Sequence, residues 1–212
     1  MFKKSKPFKD IKTFSDIKTV LTKKRNKSRL LLALIERPKY PESPQYALLV
    51  IPKSKPGPTL TNERQPIPAA KYTIKNTILK MKGVTHQPWI FEHVEIRDLN
   101  GDHGILVCAI IAKVLSKTKL QSTMSEIYIY QKDDPIRFKA RDFDSKMWCH
   151  DAYDELQKSG IVVGLDWRTA EGGTRAAWNQ KRGWRSTMKS EGREKPRVPI
   201  VDLLHGTIVK GF

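Results

Sequence analysis

The apolar positions divide the chain into three zones. Near the start, Phe8, Ile11, Phe14, Ile17 and Leu21 recur every three or four residues between lysines. That spacing predicts a basic amphipathic helix, with Ser15-Asp16 as a point where it restarts. Residues 1–36 read as a basic arm. Residues 37–70 hold eight of the 13 prolines. Proline removes backbone donors and fixes φ, so this zone reads as an extended linker with neither helix nor interior strand. Its one apolar island, YALLVIP, reads as an edge strand or a docking segment. Leu48, Leu49, Val50 and Ile51 find no obvious place in a core of their own, which marks them for self-association.

The compact domain is expected over residues 71–212. YTIKNTILKM is β-branched and aromatic and predicts a strand starting near Tyr72. WIFEHVEIRDLNGDHGILVCAIIAKVL places Asn100-Gly101 between two β-rich runs, a hairpin signal. The run over 104–116 is continuously apolar, so a helix competes there, but its β-branched residues favour a buried strand. EIYIYQ predicts a third antiparallel strand. DFDSKMWCHDAYDELQKSG predicts a helix with Asp144 or Ser145 as N-cap and Gly160 beyond its C-terminus. Trp148, Ala152 and Leu156 share its apolar face, flanked by Cys149 and Tyr153. IVVGLDW reads as a strand and EGGT as a turn into a strand at AAWNQ. KRGWRSTMKSEGREKPR has no clear pattern, and VPIVDLLHGTIVKGF is apolar enough to pack back on the domain. The sum is an α+β fold, a small antiparallel sheet packed against a helix, with an extended basic N-terminal arm and a basic C-terminal extension.

Charge changes this picture more than composition does. The 212 residues carry 40 Lys and Arg against 22 Asp and Glu, a formal charge of +18. Such a surface attracts polyanions: RNA, DNA or an anionic lipid leaflet. In the arm, Lys3, Lys4, Lys9, Lys12, Lys18, Lys23, Lys24 and Arg25 would supply charge, and Phe8, Ile11, Phe14 and Ile17 would insert into a membrane. An RNA-binding arm explains the lysines equally well. Towards the C-terminus Arg175, Lys181, Arg182, Trp184 and Arg185 interleave cations with an aromatic ring, the chemistry that binds phosphate and stacks on bases. Trp167 and Trp178 read as core residues on strands. The two cysteines, Cys108 and Cys149, sit in apolar surroundings and read as core thiols of a reducing compartment.

Catalytic chemistry is hard to find. The histidines at 86, 93, 103, 150 and 205 form no helical metal pair. Cys149 and His150 are adjacent, which on a helix points them about 100° apart. Asp133, Asp134, Asp142 and Asp144 could hold Mg²⁺ in a nuclease, but turn and capping roles account for them more simply. The expectation is a protein without enzyme activity, metal or cofactor.

Several stretches resemble the rhabdovirus matrix proteins. The order of basic arm, Pro-rich segment with tyrosines and compact α+β core is that family's layout. YTIKNTI resembles its first core strand, EIYIYQKDD a later strand ending in an acidic turn, and FDSKMWCHDAYDELQKSGIVVG the helix and strand near its C-terminus. The resemblance implies a protein lying in the virion between envelope and nucleocapsid. It would self-associate as a homo-oligomer or lattice, condense the nucleocapsid of RNA and nucleoprotein, and bind the anionic inner face of the membrane. YPESPQY contains neither PPxY nor P-[ST]-A-P, so recruitment of host budding machinery does not carry over. An organellar ribosomal or other RNA-packing structural protein fits the same composition.

Overall fold

A computed structural model of the chain describes residues 27–52, 66–77, 79–81, 84–86, 88–102, 104–132, 134, 142–190 and 198–210. The strands are β1 (Arg29–Ile35), β2 (Gln45–Ile51), β3 (Ala69–Asn76), β4 (Leu79–Met81), β5 (Val84–His86), β6 (Trp89–Ile96), β7 (Ile105–Val114), β8 (Val162–Gly164), β9 (Ile200–Asp202) and β10 (Thr207–Lys210). The helices are α1 (Lys117–Glu126), α2 (Ser145–Lys158) and α3 (Trp167–Ser190). The fold is α+β. Its main sheet runs β10-β9-β7-β1-β2-β3-β6, and β4 and β5 form a separate ribbon. One edge of β7 takes two partners in succession, β9 in parallel at Cys108–Ile110 and β8 antiparallel at Ala112–Val114.

The centre of the sheet explains the architecture. β1 reads RLLLALI, with no polar position between its ends. A strand alternates its side chains, so such a run needs cover on both faces. Leu30, Leu32 and Leu34 join the layer under α2 and α3. Leu31 and Ala33 point the other way, into a second cluster with Ala47, Leu49, Cys108, Leu99, Val198 and Ile200. Against the first face α2 buries Trp148, Cys149, Ala152, Tyr153 and Leu156, the face its spacing predicted. Asp144 caps α2 by accepting from the Met147 amide at 2.9 Å. At the other end Gly160 has φ 64°. The Ile161 amide donates to the Leu156 carbonyl at 2.9 Å and the Gly160 amide to the Gln157 carbonyl at 3.0 Å, a paired helix stop that needs the left-handed residue.

Several expectations are corrected. Residues 45–51 are a central strand rather than part of a linker, and the domain starts at β1 rather than near Tyr72. The prolines at 38, 41, 44 and 52 stand outside β2 and leave its ladder intact. Leu48 and Leu49 are fully buried, Val50 nearly so, and Ile51 packs on the second cluster, so these residues fill the chain's own core and are not an exposed self-association patch. Asn100-Gly101 lies in a 3-10 turn, and β6 and β7 stand at opposite sides of β1–β3 rather than as a hairpin. The 105–114 run is the buried strand that its β-branched residues favoured. EIYIYQ is irregular after the end of α1. EGGT and AAWNQ are both inside α3, which also carries Trp167 and Trp178, and KRGWRSTMKS continues that helix. As expected, VPIVDLL packs back, adding β9 to β7.

Gly164 and Gly172 have opposite reasons to be glycine. A Cβ on Gly164 would stand 2.1 Å from the Ile111 carbonyl oxygen, in backbone that cannot give way. One on Gly172 would meet nothing within 4 Å. Gly164→Ala should therefore destabilise by roughly 1–3 kcal/mol. Gly172→Ala, inside a helix, should stabilise by about 0.5–1 kcal/mol. Urea unfolding of the two variants checks both signs.

Candidate functional site

The sheet opens at one end of the β2–β3 pair. Ladder pairing is confined to Leu48–Val50 against Ala70–Tyr72. Beyond it, side chains take over the backbone groups. The Tyr46 amide donates to Ser145 Oγ at 3.0 Å, and Thr73 Oγ1 donates to the Tyr46 carbonyl at 3.0 Å. Gln45 Nε2 donates to the Ile74 carbonyl at 2.7 Å and to Thr73 Oγ1 at 3.2 Å. The first residue of α2 thus satisfies a β2 amide. Beside it lies a cleft of about 200 Å³, lined among others by Arg37, Gln45, Lys75, Trp89, Asp144 and Ser145.

A charged network ties the same corner together. Tyr46 Oη and Lys146 Nζ each donate to Glu171 Oε1 at 2.9 Å, and Arg175 Nη1 lies 3.7 Å from it. The Lys146 ammonium stands 5.8 Å from the centre of the Tyr46 ring. Burial pulls the Glu171 carboxyl up, but the hydrogen bonds from Lys146 and Tyr46 and the charges of Lys146 and Arg175 outweigh it, so the carboxyl titrates below its ordinary value. Burial, then the bond to Glu171, pushes the Tyr46 phenol well up. The phenol is therefore neutral at physiological pH.

The other titratable groups stand apart. His93 stacks on Tyr72 with ring centres 4.6 Å apart, His150 lies against Trp167, and His205 Nδ1 is 2.8 Å from Asp202 Oδ2. Cys108 and Cys149 are buried on different faces of the sheet, and burial raises both thiols. Of the acidic cluster, Asp133 lies outside the described residues. Asp134 accepts from the Gln131 amide and the Tyr128 hydroxyl, and Asp144 caps α2, so both hold turn or cap roles. Among the described residues no group of three or more His, Cys, Asp or Glu is placed to hold a metal ion.

The sequence-derived anion sites fall in separate places. Lys3, Lys4, Lys9, Lys12, Lys18, Lys23, Lys24 and Arg25, and with them Phe8, Ile11, Phe14 and Ile17, lie outside the described residues. Arg175 is exposed on α3, paired with Glu171. Lys181, Arg182, Trp184 and Arg185 belong to the second half of α3. Sequence reasoning missed the cleft. Gln45, Thr73 and Ser145 are distant in sequence, and nothing local marks a ladder that stops after three pairs.

Charge is divided unevenly. Residues 27–180 and 198–212, the sheet domain with its connecting loops, carry 24 Lys and Arg against 18 Asp and Glu. Two thirds of the net charge of +18 lies in two short segments. Residues 1–26 hold nine basic residues against Asp10 and Asp16, and residues 181–197 hold seven against Glu191 and Glu194. In α3, positions 181, 182, 185 and 189 are all Lys or Arg, a spacing that gathers them within one sector of a helix.

The architecture is thus an α+β sheet domain of modest positive charge joined to more strongly basic segments. The chain belongs to the family of unknown function DUF6914, which matches residues 27–209. The basic segment 1–26 lies outside that match. No curated protein and no solved structure matches the chain.

Glu171 gives the corner a pH dependence. A carboxyl whose folded value is depressed contributes stability that is present above the unfolded value and lost as pH falls through the folded one. Urea unfolding of wild type and Glu171→Gln should differ by a constant amount above about pH 5, and the difference should shrink below about pH 4.5, near the ordinary carboxyl value. A difference that grows on acidification would contradict the network.

Proposed function

We propose that the protein is a non-enzymatic structural protein that packs RNA, with a mildly basic sheet domain carrying strongly cationic segments that neutralise phosphate. The observation that supports this reading is the concentration of charge: residues 1–26 and 181–197 together carry +12 with almost unopposed Lys and Arg, while the rest of the chain carries +6. Binding a polyanion by counterion release needs such concentrated cations and no enclosed site. The resemblance to rhabdovirus matrix proteins gives the reading its particular form: a protein that self-associates while holding a nucleocapsid against an anionic membrane. In that form the stripe Phe8, Ile11, Phe14 and Ile17 adds an apolar contribution that salt does not screen. A ribosomal or other RNA-packing protein would have the electrostatic part alone.

Binding of the full chain to single-stranded RNA and to anionic vesicles over a salt series tests this. RNA affinity should fall steeply with salt, with a log–log slope of about 0.7 per phosphate contacted. Replacing Lys181, Arg182, Arg185 and Lys189 by Ala should lower that slope by about 2–3 on the same basis. Salt-insensitive RNA binding, or a slope unchanged by the fourfold replacement, would contradict the reading. Vesicle binding that persists at about 0.5 M salt, where charge is strongly screened, separates the matrix form from the ribosomal one.

A further inference from the structure

Among the described residues, the outer edge of β6 is the most distinctive free edge of the sheet. Gln131 treats Trp89 as a strand would: its Oε1 accepts from the Trp89 amide at 2.9 Å and its Nε2 donates to the Trp89 carbonyl at 3.0 Å. The backbone groups of Trp89 therefore point away from β3. In an antiparallel strand this direction repeats every second residue, so those of Phe91, His93 and Glu95 point outward too. β6 ends the order of the sheet, and no described residue bonds to these groups. Ile90 and Val94 on the same strand are 39% and 37% exposed. A long edge with exposed apolar side chains is a template for another strand.

We propose that β6 pairs antiparallel with β6 of a second copy, about a two-fold axis at Val94. The registers centred on Glu92, His93 and Val94 all use the outward groups, and chemistry separates them. Centring on Glu92 sets Glu92 against its own copy and needs the Trp89 groups that Gln131 holds. Centring on His93 sets His93 against His93 and Glu95 against Phe91. Centring on Val94 sets Val94 against Val94 and His93 against Glu95 twice, leaves Gln131 in place, and opposes unlike partners at each charged position. His93 Nε2 already lies 3.2 Å from Glu95 Oε1 within one chain, so the pairing keeps acid beside imidazole. This self-association is independent of RNA binding, although the matrix form of the proposed function calls for it.

The test is cysteine cross-linking of the full chain at about 0.5 M salt without RNA, where charge repulsion between copies is screened. Cys108 and Cys149 are buried and do not compete. Residues opposed across a non-hydrogen-bonded pair have Cα atoms about 4.5 Å apart, within disulfide reach. Val94→Cys should therefore form a disulfide-linked dimer under mild oxidation at least about tenfold faster than Ile90→Cys, whose opposite position on the two-fold is residue 98. In sedimentation, wild type should dimerise reversibly. Val94→Lys, which sets like charges against each other, should weaken that dimer at least about tenfold with an unchanged melting temperature. Equal cross-linking at 90 and 94, a wild type that stays monomeric, or a folded Val94→Lys that dimerises as wild type does would each overturn the proposal.

Discussion

A strand with no polar face must be covered twice. β1 is buried from Leu30 to Leu34 at zero exposure, and β2 beside it is buried from Tyr46 to Val50. Every other element can be read from that requirement. The helices α2 and α3 cover one face, and residues around Ile67, Leu99, Val198, Ile200 and Leu204 cover the other. The chain brings in β9 from far along the sequence to complete the second cluster, and it does so in parallel, the one such pairing among the described strands. Fully burying each large aliphatic side chain is worth roughly 1.5–3 kcal/mol. Substitution at the centre of β1 thus acts on two layers at once.

The cleft follows from the same constraint. α2 can lie close over β2 because Ser145 takes the Tyr46 amide, and the sheet parts where that happens. The carboxylate of Glu171 then holds β2, α2 and α3 together through Tyr46, Lys146 and Arg175. Because it joins three elements, this network couples the approach of the helices to the opening of the sheet.

Much of α2 was legible in the sequence, since its cap, its stop and its buried face are all local signals. The 105–114 strand was legible from its β-branched residues. The centre of the sheet was not. RLLLALI sits directly after a run of lysines and QYALLVI among prolines, and average composition over those windows hid two continuous apolar runs. α3 was missed for a different reason. Gly172-Gly173 imitates a turn, and a helix whose buried positions, among the side chains described, are Ala170, Thr174, Ala177 and Trp178 shows little apolar contrast. Gly173 is suited to its place, since a Cβ there would stand 2.7 Å from Leu203 Cδ1. The cleft was illegible because ladder length is a property of three segments together.

The concentration of cations in residues 1–26 and 181–197 gives most of the charge and most of the burial separate addresses. The sheet owes its stability to burial, and two thirds of the excess charge lies in residues 1–26 and 181–197. The claim that β1 and β2 form the innermost part of that sheet is tested most directly by native-state hydrogen exchange. The amides of Leu30–Leu34 and Leu48–Val50 should exchange only through global unfolding, with a free energy equal to that from denaturant. If they exchange through a smaller opening while the amides of α2 stay protected, the centre of this fold lies elsewhere.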